Sequence, residues 1–500
     1  MVEAVVRAGP GLTRATRAGV TAGFLASVLV AATSWSSAAV PAVRAEPLRP
    51  GWELTAPAGG SPLAALLCLA GAALLAGAWW WLRDAGLGVR QWQRTIALWA
   101  LPLVVAAPLW SRDLYSYAAQ GLLWEQGLSP YDHTVGELDS DWVASTSYAW
   151  LETMAPYGPV FLLVARLCAA VSGGNLLVAL LLLRLAAVVG LAVIAWSVPE
   201  VARRLGHDDD VAARALWLAA ANPLVLVHVV GGGHNDVLQV AGVLAALVLA
   251  LRGSLGWSSA VLSLAVMVKS PAALALPFLV LVWAAATAAA EGPATFARVT
   301  RGLVVGGGIV ATAVLALSLG TGLGLAWVVP RDVATGYMWT SLTTAVGLAV
   351  GEVGALLGHA DTWTVPAVAV AQRVGLAVFV VVVGALFLGA YRRVVAPAHE
   401  HATRAAVRAL ALAFVALVAL SPAIRMWYLL WFLPLVPFAV RTRRMVTVVA
   451  VMTTLLIFLN VPDGYAVALW FPRAGIPVAI GLLGALGAAA TAEVRRIRAG

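Results

Sequence analysis

An acid and two phenols follow one another in Arg112-Asp113-Leu114-Tyr115-Ser116-Tyr117, directly after the apolar run 95–110. Charge at the rim of a bilayer is expensive and usually functional. A carboxylate near neutral pH is also the simplest general base for an alcohol nucleophile. On a helix, Asp113, Tyr117, Gln120 and Trp124 share one face, at spacings of four, three and four. Such a face offers a carboxylate, hydrogen-bonding groups and a stacking ring, which suits a sugar. The competing use of Asp113 is an ion pair with Arg112 or Arg331 that anchors a loop.

Other polar interruptions stand between apolar runs. Gly231-Gly232-Gly233-His234-Asn235-Asp236 combines a glycine turn that permits a close-packed backbone with a base, an amide and an acid. The same residues also make a hairpin turn in which Asn235 or Asp236 caps the helix starting near Val237. His228, inside the preceding run, reads as a packing histidine. Lys269, in Met267-Val268-Lys269-Ser270-Pro271, is the only lysine of 500 residues. A lone cation at membrane depth fits a phosphate at headgroup level, or snorkels to the interface. In Ser421-Pro422-Ala423-Ile424-Arg425-Met426-Trp427-Tyr428, Arg425 is a second candidate phosphate clamp. Trp427, Tyr428 and Trp431 either face a sugar or, the favoured reading, form an interfacial aromatic belt. Tyr157-Gly158-Pro159 reads as a turn, and Arg331, Asp332, Tyr337 and Trp339 as a cover over the site. No phosphate-binding glycine loop, zinc spacing or nucleophile elbow occurs, so nothing calls for ATP or a nucleotide sugar.

The elements that must position these residues follow from composition. Apolar residues make up 62% of the chain and charged ones 11%, and the mean hydropathy is +0.92. This is an all-α polytopic integral membrane protein, a single membrane domain over 1–500 with no repeat. Spans are expected near 18–40, 61–83, 95–110, 175–198, 213–230, 236–252, 256–268, 271–290, 302–320, 366–390, 406–420, 427–440, 445–461 and 475–491, about 13–14 in all. Two stretches stay outside: a first large extracytoplasmic loop, 111–174, and a second, 321–365. The apolar stretch 158–172 carries Arg166 and reads as an interfacial helix. With both termini cytoplasmic, the inner loops gather most cations, among them Arg83, Arg90, Arg94, Arg203, Arg204, Arg252, Arg392 and Arg393. The formal charge of +9 therefore marks topology rather than nucleic-acid binding. Arg7, Arg14 and Arg17 before an apolar run, with small residues near Ala45, also fit a cleaved signal peptide, although the run is long for one. Cys68 and Cys168 lie in separate apolar segments and read as packed thiols.

These features resemble the GT-C glycosyltransferases: an acid in the first outer loop, an interfacial helix after it, and a lysine between two half-length spans. More narrowly, Asp113-Leu114-Tyr115-Ser116-Tyr117 with Gln120-Gly121, Tyr157-Gly158-Pro159, Asn222-Pro223, Gly233-His234-Asn235-Asp236 and Trp427-Tyr428-Leu429-Leu430-Trp431 resemble the polyprenyl-phosphate-mannose-dependent α-1,6-mannosyltransferases of actinobacterial lipomannan and lipoarabinomannan biosynthesis. The resemblance covers about 60–490. It implies a GT-C fold in the plasma membrane, with the active site on the extracytoplasmic side. It implies a polyprenyl phosphate mannose donor, a lipid-anchored mannoside acceptor, and transfer with inversion to an α-1,6 linkage. Asp113 takes the place of the catalytic base. Lys269, Arg425 and Arg331 become the donor-phosphate cations. Arg112, Tyr115, Tyr117, Gln120, Tyr157, His234, Asn235, Asp236, Trp427 and Tyr428 become the substrate contacts. The resemblance implies no metal and no other cofactor.

Two other functions remain open at this point. A GT-C enzyme using another polyprenyl-phosphate sugar shares the base and the phosphate clamp. A polytopic lipid or sugar transporter would spread polar residues through the bilayer midplane, often in an inverted repeat, whereas here they gather at one face.

Overall fold

Runs of Leu, Val, Ala and Gly close into helices where a polar side chain takes up the free N–H groups of the first turn. The computed structural model describes residues 13–39, 61–329, 340–396, 401–440 and 442–462. Helix α1 (Arg14–Ser34) starts at Thr13, which accepts from the Thr16 amide at 3.1 Å. Helix α2 (Pro62–Trp81) starts at Ser61, with Pro62 in the first turn. Then come α3 (Val89–Val104), α4 (Asp113–Glu125), α5 (Pro159–Val171) and α6 (Leu176–Arg204), the last capped by Asn175. Helix α7 (Asp209–Ala219) bends by 45° into a π-helical turn that ends at Gly231. Helices α8 (Asp236–Leu251), α9 (Leu255–Val266), α10 (Ala275–Ala286) and α11 (Phe296–Gly320) follow. The chain continues through α12 (Leu342–Leu356), α13 (Ala360–Val395), α14 (Ala402–Leu420) and α15 (Arg443–Leu456). No strand occurs among the described residues.

The protein is thus an all-α polytopic membrane protein. Six described helices are long and apolar enough to cross a bilayer, or seven if the bent α7 pair counts as one. Fewer full spans than expected result because expected spans fold as helices of 10–17 residues, among them α8 and α9. These fall below the ~20 residues a straight span needs. The outward faces stay apolar: the window within α13 is only 11% buried, leaving a surface that hydrocarbon can cover.

Three expected elements differ. The span at 427–440 is instead a 3₁₀ turn, Met426–Trp431, and a single helical turn, Val436–Ala439. Pro434 and Pro437 remove amide donors there. The span at 95–110 ends at Val104, after Pro102, and residues 105–111 run irregularly toward α4. The second outer loop, 321–365, carries α12 and the start of α13. These two pack closely, with Gly347, Gly351 and Gly354 against the backbone or side chains of Val368, Thr364 and Trp363. The stretch 158–172 forms the 13-residue helix α5. The span at 475–491, the small residues near Ala45, and Arg331, Asp332, Tyr337 and Trp339 lie outside the described residues.

One core contact fixes α2 on α7. The Trp79 and Trp217 rings stack at 4.3 Å, and each indole N–H donates to the other's backbone carbonyl, at 2.8 and 2.9 Å. The polar interruptions converge at the other end of the bundle.

Candidate active site

The frame of the site is a buried cation bonded to backbone. Arg184, in α6, is 3% exposed. It donates to the carbonyls of Val104 and Ala106 at 2.8 and 2.7 Å, and to that of Gly231 at 2.8 Å. The Leu109 amide donates to the same Gly231 carbonyl at 3.2 Å. The segment ahead of Asp113 is thereby tied to the Gly231-Gly232-Gly233 turn. The turn requires glycine: a Cβ on Gly231 would lie 2.4 Å from Leu109 and one on Gly233 2.6 Å from Leu114, and Gly233 has φ +67°. Trp110, two residues before the Arg112-Asp113 pair, holds a left-handed φ of 57°. Its carbonyl accepts from Asn460 Nδ2 and its amide donates to Pro462.

Asp113 is the first residue of α4, where the helix dipole favours a carboxylate. Its Oδ1 accepts from Trp150 Nε1 at 2.9 Å. His234 Nδ1 stands 3.6 Å from Oδ2. Arg112 is turned away and donates to the Ser145 carbonyl at 3.1 Å, so it is not the ion-pair partner of Asp113. Burial pushes the Asp113 carboxyl above its usual range. Arg425, the Trp150 N–H, Lys269 and Ser111 oppose that shift, Arg425 most strongly. The side chain keeps 13% exposure, enough to leave an approach to the carboxylate.

A second carboxylate lies deeper. Asp236 is fully buried. Its Oδ2 meets Lys269 Nζ at 2.7 Å, and its Oδ1 accepts from Trp431 Nε1 at 2.7 Å. Neither Asp236 nor Asn235 caps α8 through its side chain; the acid is used on the lysine instead. Lys269 does not snorkel. Its ammonium lies 5.5 Å from the Tyr157 ring centre and 5.2 Å from that of Tyr428. Tyr157 is brought there by a close backbone approach. The Gly158 amide donates to the Val268 carbonyl, and a Cβ on Gly158 would lie 2.3 Å from the Met267 carbonyl oxygen.

Aromatic rings complete the walls. Trp427 stacks on His234, with centroids 3.6 Å apart and planes 17° apart, and Tyr428 stacks on Trp431 at 4.5 Å. Trp427 and Trp431 are 4% and 6% exposed, so they face inward rather than forming a belt. Tyr117 lies edge-on to Tyr157 at 5.2 Å, and its hydroxyl reaches Asn235 Oδ1 at 3.5 Å. No described residue hydrogen-bonds to the Arg425 side chain, although its charge acts on Asp113, His234 and Tyr428. Burial, then His228, Lys269 and Arg425, hold the His234 imidazole well below its usual range, so it is neutral.

The expected stripe on α4 divides. Asp113 and Tyr117 meet the site, whereas Gln120 donates to Ser116 and Trp124 lies under Arg166 of α5. The reason is packing: Gly121 rests against the Ala165 carbonyl, which fixes that end of α4 on α5. Tyr115 points elsewhere and donates its hydroxyl to the Ala39 carbonyl. Arg331 lies outside the described residues. Sequence reading missed Arg184, whose signal was a lone arginine inside an apolar span. It also missed Trp150, which nothing in its neighbourhood marks. His228 is buried in the π-helical turn, 5.6 Å from Trp427 and 6.0 Å from His234. Among the described residues no cluster of three or more His, Cys, Asp or Glu is placed to hold a metal ion.

Comparison with known proteins matches two family models. Residues 20–285 match the alpha-(1->6)-mannopyranosyltransferase N-terminal domain, and residues 343–491 match the MptB C-terminal domain. Alpha-(1->6)-mannopyranosyltransferase A of Mycobacterium tuberculosis is 31% identical over 373 residues, 74% of this chain and 69% of that protein. Alpha-(1->6)-mannopyranosyltransferase B of Corynebacterium glutamicum is 30% identical over 416 residues, 78% of this chain and 67% of that protein. No solved structure matches.

Proposed function

The chain belongs to the alpha-(1->6)-mannopyranosyltransferase family, and on that premise we propose that it moves mannose from polyprenyl phosphate mannose to the 6-hydroxyl of a lipid-linked mannan acceptor. Membership of a transferase family removes the transporter reading. The observation that carries the finer reading is the Asp113 carboxylate, one oxygen held by Trp150 and the other left for substrate, with two cations acting on it.

Asp113 Oδ2 accepts the proton of the acceptor 6-hydroxyl as that oxygen attacks the anomeric carbon. The bond from the anomeric carbon to the phosphate oxygen breaks on the opposite face, and its electron pair leaves with polyprenyl phosphate. A β-linked donor thus gives an α-linked product. The phosphate passes from one negative charge to two, and charge developing in the transition state is where fixed cations act. Arg425, whose guanidinium has no described hydrogen-bond partner, is the first of these. Lys269, already sharing its charge with Asp236, is the second. Half-buried Tyr428 is the ring that meets the sugars, with buried Tyr117, Tyr157 and Trp427 forming the wall behind it. The arginine distribution supports an extracytoplasmic site with both termini in the cytoplasm.

The test is mannose transfer in membranes, with radiolabelled polyprenyl phosphate mannose and a short α-1,6-mannoside, comparing wild type with Asp113→Asn at equal expression. Transfer that collapses in the variant supports both base and sugar. Unchanged transfer in the variant removes Asp113 from the mechanism, and no transfer by wild type sends the search to another donor sugar.

A further inference from the structure

We propose that His234 is the positioning residue of Asp113: its imidazole donates the Nδ1 proton to Oδ2 and so holds that oxygen toward the acceptor hydroxyl. The inference rests on the mannosyl-transfer reading above and adds to it a role for a ring that otherwise only lines the site.

Four observations converge on it. First, the two oxygens of Asp113 are unequally served. Oδ1 is bonded to Trp150 Nε1, while the group aimed at Oδ2 is His234 Nδ1, at 3.6 Å. That is long for a hydrogen bond, but catalytic contacts tighten when substrate is bound. A carboxylate oxygen has two lone pairs, so one can accept from the imidazole while the other meets the hydroxyl. Second, the ring is fully buried, and no described protein group bonds either nitrogen. A buried N–H without a partner is costly, and Oδ2 at 3.6 Å is an acceptor placed near it. Third, the ring has little freedom. It stacks on Trp427, and its backbone leaves a glycine turn fixed by Leu109 and Leu114. Fourth, the surrounding charges suit a neutral donor. His228, Lys269 and Arg425 disfavour the imidazolium, and a neutral ring still carries one N–H.

No other neighbour takes this part. Arg425, Lys269, Tyr117, Tyr157 and Tyr428 surround Asp113 electrostatically. Lys269 is held by Asp236, and Arg112 by the Ser145 carbonyl. His228 lies beside the same stack, with its ring centre 6.0 Å from that of His234 and 5.6 Å from that of Trp427.

Three substitutions separate positioning from packing. In His234→Asn the amide can place an N–H where Nδ1 stands. In His234→Gln the amide falls nearer Nε2. His234→Phe keeps ring and stack but has no N–H. Positioning predicts that His234→Asn retains most of kcat, whereas His234→Gln and His234→Phe lose about 10- to 100-fold in kcat with little change in acceptor KM, the scale of one hydrogen bond to a charged group. Losing a donor to the carboxylate also moves the acid limb of the kcat profile upward, by about one pH unit in His234→Phe. A stacking role predicts the reverse order, with His234→Phe best tolerated and the acid limb unmoved; that result overturns the proposal.

A second readout does not depend on turnover. A hydrophobic carbodiimide modifies protonated buried carboxyls, and Asp113→Asn identifies the labelled peptide by mass spectrometry. The pH midpoint of Asp113 labelling is expected to rise in His234→Phe and to stay near wild type in His234→Asn. Equal midpoints in all three proteins refute the proposal, even if wild type transfers mannose normally. A raised midpoint supports it even if mannose proves to be the wrong sugar.

Discussion

Removing one partner of the Lys269–Asp236 pair should cost far more than removing both. The charges are 2.7 Å apart, with side chains 11% and 0% exposed. At an effective dielectric of about 20, their attraction is roughly 6 kcal/mol before desolvation is subtracted. Most of that is cancelled by taking both ions out of water, so the intact pair is worth little relative to an apolar replacement. A single substitution keeps the desolvation cost of the remaining ion and loses the attraction, a penalty of about 3–5 kcal/mol. Asp236→Asn and Lys269→Met are therefore each expected to destabilise by that amount. The double variant should recover to within about 2 kcal/mol of wild type, giving a coupling energy of about 4 kcal/mol or more. The assay is a double-mutant cycle by reversible denaturant unfolding in one detergent at one pH. Single variants within about 0.5 kcal/mol of wild type, or a double variant equal to the sum of the singles, would refute the reasoning. Either result would mean that water or lipid headgroups solvate the pair.

Asp113→Asn is expected to abolish transfer yet leave the fold more stable at pH 7. The folded carboxyl is raised, chiefly by burial. Its favourable contribution is therefore fully present below the unfolded range near ~4 and is lost as pH rises through the folded value. The stability advantage of Asn should shrink as pH falls toward about 4, as unfolding midpoints at two pH values would show; a gap that widens on acidification contradicts the shift. Gly158→Ala should destabilise by about 1–3 kcal/mol and depress transfer, because its methyl would collide with the Met267 carbonyl. Gly77→Ala, with nothing within 4 Å, should be neutral or stabilising by up to ~1 kcal/mol, and thermal unfolding compares the two. Arg184→Met strands the carbonyls of Val104, Ala106 and Gly231. It should cost about 3 kcal/mol or more in unfolding free energy, and a wild-type midpoint would show that the clamp is not needed.

The amino-acid sequence by itself determined the membrane class, the helical fold and the regions where chemistry can occur. Hydropathy is a sum over neighbours in the chain, so apolar runs and the acid behind one of them are local facts. The glycine triplet before His234 was legible as a turn for the same reason, but not its closure by Leu109 and Leu114. The uniqueness of Lys269 was visible too, but not its partner. Asp236 is 33 residues away and Trp431 is 195 residues from that acid, and no spacing rule relates residues on different helices. Tertiary packing alone decided that Trp427 and Trp431 turn inward, that Tyr115 bonds Ala39, and that Gln120 and Trp124 settle away from the site. It also decided which apolar runs become short helices, because a helix enclosed by neighbours can stop short of the bilayer thickness once its backbone ends find partners. Asp113 itself needed both levels. The chain places an acid after an apolar helix, and the fold holds one of its oxygens with Trp150 and brings His234, Arg425 and Lys269 around it.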